Sequence, residues 1–392
     1  MNPDQFATPN LDTEQRGILI VAIIAALASV VVAVVDTSRF FHVYLIAFVF
    51  WAEVAMGCLG LVLLNNLVNG RWLYPVQRFA EAGARTMPLL LLAFVPVIFG
   101  LRELYPWFGA TELEGGKAFF LQPAFFVGRS LFYLAVWSVL AYVLTGWSYQ
   151  RDTADTAGLE GRSRTWSALG AVVFVLTTSL AAFDWTMSLT PEWFSSVYGW
   201  LSLARAGLTT MALLLLVLAF FWDRAPLKSI ITAPIVKDMG SLLLVAFLAW
   251  GYLGITQFLV IWSANVSYNV SWYAPRVAGT WETFTLAFLL LHALLLVLLL
   301  LPNIKRSKGV LVVLALVVFL LRIMELYWVV MPGAMPQFQF QAWDLAPLLA
   351  LGGLWLAVAL YFLGQARLLP VHHPSLAHDA AESGHEAAAS SS

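Results

Sequence analysis

Ten runs of mainly apolar residues, 14 to 23 long, recur along the chain. They fall at 17–35, 42–64, 88–101, 125–145, 166–187, 200–221, 239–261, 282–301, 310–331 and 346–362. Crossing a hydrocarbon core of about 30 Å takes roughly 20 helical residues, so most are long enough to span a bilayer. The third is short and carries Pro96 inside it. The pattern predicts an all-α polytopic membrane protein with ten transmembrane helices. The segment before the first run is polar and acidic up to Arg16, with no basic n-region and no cleavage site, so the first run is expected to be a retained helix rather than a signal peptide.

Composition agrees with the periodicity: 61 % of the 392 residues are hydrophobic, 11 % are charged and the mean hydropathy is +0.83. A net charge of -1 offers no electrostatic footprint for nucleic acid. Cys58, the only cysteine, lies in an apolar run, where it can form neither an intrachain disulfide nor an iron–sulfur ligand set, and reads as a packing residue.

Basic residues orient the helices. Fourteen of the 21 Lys and Arg fall on the side carrying both termini, against Arg39, Arg102, Lys117 and Arg276 on the other, with Arg129, Arg205 and Arg322 inside helices. The positive-inside rule then places both termini in the cytoplasm.

Laid over itself with a shift of 152 residues, the chain sets Arg85-Thr-Met87 on Lys237-Asp-Met239 and Glu53 on Arg205. A shift of 143 later sets Asp184-Trp185 on Tyr327-Trp328. Two four-helix bundles, helices 2–5 and 6–9, are therefore expected to form a parallel repeat, because an even number of spans restores orientation. The expected units are residues 1–41 with helix 1, 42–195, 196–336, 337–364 with helix 10, and a disordered tail at 365–392 whose four histidines carry no assigned role.

Ionisable groups cost about 2.5 to 3.5 kcal/mol each in a bilayer and turn toward a bundle interior or a wet cavity. The first bundle has Glu53 near mid-depth on helix 2, Arg129 on helix 4 and Asp184 at the outer end of helix 5. The second has Arg205 on helix 6, Glu282 and His292 on helix 8, and Arg322 and Glu325 on helix 9. Together these eight make a possible proton path. Arg322 and Glu325, three apart, share a face and should pair. Glu282, Thr285, Leu289 and His292 fall within an arc of about 80°, a polar stripe with His292 as its titratable end. Glu53 lacks a local partner, and Gly57 and Gly60 beside it permit close helix approach. Asp184, just before Pro191, is either the exit of a proton path or part of a contact with an extracytoplasmic partner.

A two-haem membrane cytochrome needs four axial histidines in the bilayer, and only His42 and His292 lie in or near it. There is no phosphate-binding glycine loop, zinc-type His/Glu spacing or nucleophile elbow. Electrons in any redox role would sit on a partner or a diffusible quinone.

The stretch Phe183-Asp-Trp-Thr-Met-Ser-Leu-Thr-Pro-Glu-Trp-Phe-Ser195, with Gln257-Phe-Leu-Val-Ile-Trp262, Asn265, Trp272-Tyr273, Arg276, Pro302-Asn-Ile-Lys-Arg306 and Glu325-Leu-Tyr-Trp-Val-Val-Met-Pro332, resembles the smaller ten-helix membrane subunit of bacterial alternative complex III. The resemblance covers helices 4–9 well and the ends poorly. It implies a relative of the polysulfide-reductase type of membrane anchor, set in a quinol:cytochrome c oxidoreductase. Neighbouring multihaem cytochrome c, iron–sulfur and small membrane subunits are implied with it, and a larger homologous subunit would oxidise the quinol. A quinone on this chain itself would have His42, Arg129 and Asp184 to bond. The family pattern has a proline after the helix 8 histidine, where this chain has Leu295-Leu296, which removes an expected kink near His292.

The expected function is thus a non-haem membrane subunit that scaffolds the complex and conducts protons coupled to quinol oxidation next door. The alternatives are a stand-alone proton-coupled secondary transporter and a purely structural anchor whose charges pair with one another.

Overall fold

The computed structural model describes residues 8, 11–68, 70, 73–109, 115–152, 157–225 and 227–370. Among these residues there is no strand, and ten helices are long and apolar enough to cross a membrane. They are α1 (Asp12–Val35), α2 (Thr37–Val68), α3 (Gln77–Phe99), α4 (Pro123–Gln150), α5 (Gly158–Leu189), α6 (Tyr198–Phe221), α7 (Ala233–Ala264), α8 (Thr280–Leu300), α9 (Lys308–Gly333) and α10 (Ala342–Gly364). The chain is a multi-pass membrane protein by this measure.

Packing centres on α2, which is buried over most of its length and touches α1, α3, α4, α5, α6, α9 and α10. The second hub is α6, set against α2, α5, α7 and α9, while α8 packs on α7 and α9. Lipid tails are as apolar as leucine, so close backbone approach and buried hydrogen bonds hold such helices together. Gly57 shows both. A Cβ there would lie 2.5 Å from the Ala206 carbonyl oxygen, and one turn away Thr210 Oγ1 donates to the Val54 carbonyl at 3.0 Å. Gly353 similarly brings α10 onto Ala22 of α1, and Trp51 Nε1 on α2 donates to the Leu348 carbonyl of α10 at 3.0 Å.

Three boundaries differ from the hydropathy pattern. α3 begins at Gln77, eleven residues earlier than the apolar run at 88–101, because Gln77, Arg78 and Glu81 are buried and bonded to one another rather than solvated. The unit boundary expected at residue 42 falls inside α2, since Arg39 within its first turn is neutralised by Asp344. The tail expected from residue 365 starts packed: Leu368 and Leu369 are buried, and the Ala366 carbonyl accepts from Thr8 Oγ1 at 2.7 Å. The rest of that tail, 371–392 with its histidines, lies outside the described residues.

Candidate functional site

Gly57 sets the distance between α2 and α6, and the charges sit beside it. Glu53 is one turn from Gly57, and Arg205 immediately precedes Ala206. Glu53 is 1 % exposed, Arg205 2 %, Arg322 0 % and Glu325 5 %. Arg322 and Glu325 form the intrahelical ion pair expected from their spacing. Arg205 Nε lies 3.7 Å from Glu325 Oε1, which joins α6 to α9. The positive charges that act on Glu53 come from other helices, from Arg205 and Arg322, and no ion pair joins it directly to either. Two carboxylates and two guanidiniums balance in charge, yet Glu53 Oε2, Arg205 Nε and Arg322 Nε and Nη1 have no hydrogen-bond partner. Buried polar atoms left this way cost about 1 to 3 kcal/mol each unless water reaches them.

Aromatic rings wall the cluster. The Arg205 guanidinium lies 4.9 Å from the Tyr198 ring centroid and that of Arg322 lies 4.9 Å from Trp250. Trp250 also donates its indole N–H to Glu325 Oε1 at 3.1 Å and stands 4.6 Å from the His292 ring. His292 is buried among Phe247, Trp250 and Phe288, with Nδ1 donating to the Phe288 carbonyl at 2.7 Å. Its helix runs unbroken from Thr280 to Leu300, as expected without the proline.

The polar stripe on α8 is narrower than expected. The buried face is Trp281, Thr285, Phe288, His292, Leu295 and Leu299, and Glu282 is exposed. At 100° per residue Glu282 points about 100° from the centre of that face, so it leaves the path, as does Leu289. Thr285 remains, donating to the Arg276 carbonyl at 2.6 Å and accepting from Trp328 Nε1 at 2.8 Å.

At the end away from the chain termini, Arg129 and Asp184 bind each other at 2.6 Å, and Tyr133 Oη donates to Asp184 Oδ2 at 3.1 Å. Arg129 also donates to the Phe120 carbonyl at 2.9 Å. His42 stands apart from this pair, its Nδ1 on the Ser38 carbonyl at 2.8 Å. Arg276, outside the spans, is held by the carbonyls of Trp272, Trp328 and Val329 and packs on the Trp272 ring. Burial without a carboxylate beside it lowers Arg276 to about 9. Around it Trp193, Tyr198, Trp272 and Ile261 form a second, smaller core, so the Asp-Trp-Thr-Met-Ser-Leu stretch ends in an aromatic plug joining α5, α6, α7 and the α7–α8 connection.

At the opposite end a network absent from the expected path joins α3 to α4. Arg78 bonds Glu81 at 2.6 Å and Asp152 at 2.5 Å, and Ser148 Oγ donates to Glu81 Oε1 at 2.6 Å. Its signal was legible: Arg78, Glu81 and Arg85 are three and four apart and share one helix face.

No protein-family model matches this chain, and a search of curated proteins finds no match either. Among the described residues no three His, Cys, Asp or Glu converge as a metal-binding group.

Proposed function

We propose that the chain is the smaller ten-helix membrane subunit of an alternative complex III-type quinol:cytochrome c oxidoreductase, where it scaffolds its partners and carries protons through its interior. The observation that carries this is the four-charge cluster of Glu53, Arg205, Arg322 and Glu325, buried where α2, α6 and α9 meet. A charge-balanced group with unpartnered polar atoms at mid-depth costs stability and is rarely kept without use.

The contacts support two bundles, α2–α5 and α6–α9, related by a parallel repeat. α2 touches α3, α4 and α5, while α6 touches α7 and α9. Glu53 and Arg205, superposed by the shift of 152 residues, act on each other where the two hubs meet, as equivalent positions beside a repeat axis would.

Multihaem cytochrome c and iron–sulfur subunits would carry the electrons, and a larger homologous subunit would oxidise the quinol. Arg129 and Asp184 bond each other and His42 Nδ1 bonds the Ser38 carbonyl, so a quinone carbonyl taken up by Arg129 would compete with a 2.6 Å ion pair. Quinol oxidation accordingly falls to the neighbouring subunit, and this chain's part is the movement of protons.

Affinity purification through a tag on this chain tests the assignment. Haem- and iron–sulfur-bearing subunits should come with it in fixed ratio. Isolation as a lone polypeptide that moves protons would make it a secondary transporter instead, and a complex whose proton-to-electron ratio ignores Glu53 would leave a structural anchor.

A further inference from the structure

Most of the buried polar atoms without partners fall at two places. One is the mid-depth cluster; the other is the end of α2–α5 on the side of the chain termini. There Gln77 Oε1, Arg78 Nε, Asn65 Oδ1, Tyr149 Oη and Ser163 Oγ are buried with no hydrogen bond. Gln77 and Arg78 belong to a bonded core, Tyr149 stacks on Arg78, and Asn65 and Ser163 lie on α2 and α5 at the same end. Gln77 Nε2 and Ser148 Oγ both donate to Glu81 Oε1, at 2.9 and 2.6 Å, and Arg78 sits between Glu81 and Asp152. Asn66 Nδ2 donates to Ser167 Oγ at 3.0 Å, and Ser163 lies one turn nearer the helix start on the same face of α5. Five orphaned atoms call for about two internal waters at about three bonds each.

We propose that this network is a hydrated proton-uptake site, with Glu81 as the group that accepts the proton. The proposal deepens the proton-carrying role assigned above, for which it supplies the group nearest the aqueous phase on the side of the termini. A hydronium ion gives its proton to the Glu81 carboxylate, which becomes the neutral acid, and leaves neutral water behind. Arg78 then loses one carboxylate and keeps the other, Asp152 at 2.5 Å, so no unpaired charge is stranded. The other charged or titratable groups facing the site are Arg85, whose guanidinium lies 4.2 Å from the Tyr149 ring centroid, Arg151, which bonds Asn66 Oδ1 at 3.5 Å, Glu160 beside Arg151, and Arg367, which bonds the Asp152 carbonyl at 3.4 Å. From Asn65 back to Glu53 is twelve residues of α2, about 18 Å of helix, which sets the distance a proton covers between the two stations.

Two measurements on the purified protein, with the subunits that accompany it, test this. Radiolytic labelling with oxygen-18 water reads water contact directly. Tyr149 should be labelled at least tenfold faster than Trp147, which is likewise partly buried but packs against the apolar core; equal rates overturn the proposal. Infrared difference spectra between the quinol-reduced and the resting complex should lose a carboxyl signal in Glu81→Gln and keep it in Glu53→Gln. If Glu81→Gln leaves every carboxyl signal unchanged, the uptake site is wrong whatever Glu53 does. If Glu53→Gln alone leaves proton transfer intact while Glu81→Gln removes its signal, the mid-depth role fails and the hydrated site stands. Tyr149→Phe, which keeps the ring, supplies the second variant should Glu81→Gln not accumulate, and should slow water labelling of Gln77 and Ser148 neighbours; unchanged labelling there counts against the site.

Discussion

Trp250 on α7 donates its indole N–H to Glu325 Oε1 on α9 at 3.1 Å. That bond makes an aromatic side chain part of the charge cluster. Trp250→Phe keeps a ring against His292 and Arg322 but removes the donor, and should cost about 1.5 to 3 kcal/mol in detergent-solubilised unfolding, the range for a hydrogen bond to a charged group. In the Glu325→Gln background the same change should cost less. Equal costs in both backgrounds would show that the two residues are not coupled.

Gly57 and Gly60 separate a required glycine from a tolerant one. A Cβ at 57 meets the Ala206 carbonyl oxygen at 2.5 Å, whereas at 60 the nearest atom is Phe174 Cε1 at 3.4 Å. Gly57→Ala is expected to lower stability by about 1 to 3 kcal/mol through overpacking. Gly60→Ala should fall within about 0.5 kcal/mol of wild type, measured as thermal midpoints of the same preparation.

Asp184 is fully enclosed with Arg129 as its counter-charge. Asp184→Asn strands the guanidinium and should destabilise by about 3 to 5 kcal/mol, while the double change Arg129→Met with Asp184→Leu should recover most of that loss. Recovery of stability together with normal proton transfer would assign the pair to architecture. Recovery without proton transfer would make it the outlet.

Glu53→Gln replaces a buried carboxyl group by an amide of the same size. In proteoliposomes the proton-to-electron ratio of the complex should drop, with the subunits still present in fixed ratio. An unchanged ratio would leave the cluster a purely electrostatic brace.

The ten spans were legible because bilayer thickness imposes a length that hydropathy records directly. Pairing along one helix was legible as well, since Arg322 and Glu325 are three residues apart. Pairing between helices was not. Glu53 looked solitary because its charges come from α6 and α9, 152 and 269 residues further on. Arg78 and Glu81 passed for a loop because ion-paired residues lower hydropathy as much as solvated ones. Glu282 seemed part of the α8 stripe because an arc of 80° says nothing about which edge of it meets the neighbouring helix.

α1 and α10 lie against each other along much of their length, with Gln15 Nε2 on the Ala357 carbonyl at 2.9 Å, and Arg39 waits on Asp344 across 305 residues of sequence. During synthesis, then, the first two helices enter the bilayer without the groups that complete them. Arg39 must stay near the lipid headgroups, or borrow a temporary counter-charge, until almost the whole chain has been made. Ribosome-stalled chains ending before residue 342 should leave Arg39 open to water-soluble arginine reagents, and chains carrying the full α10 should shield it. The last helix is therefore the latch of membrane insertion, and loss of the C-terminal fifty residues should send the nascent protein to quality-control proteolysis although nine spans are intact.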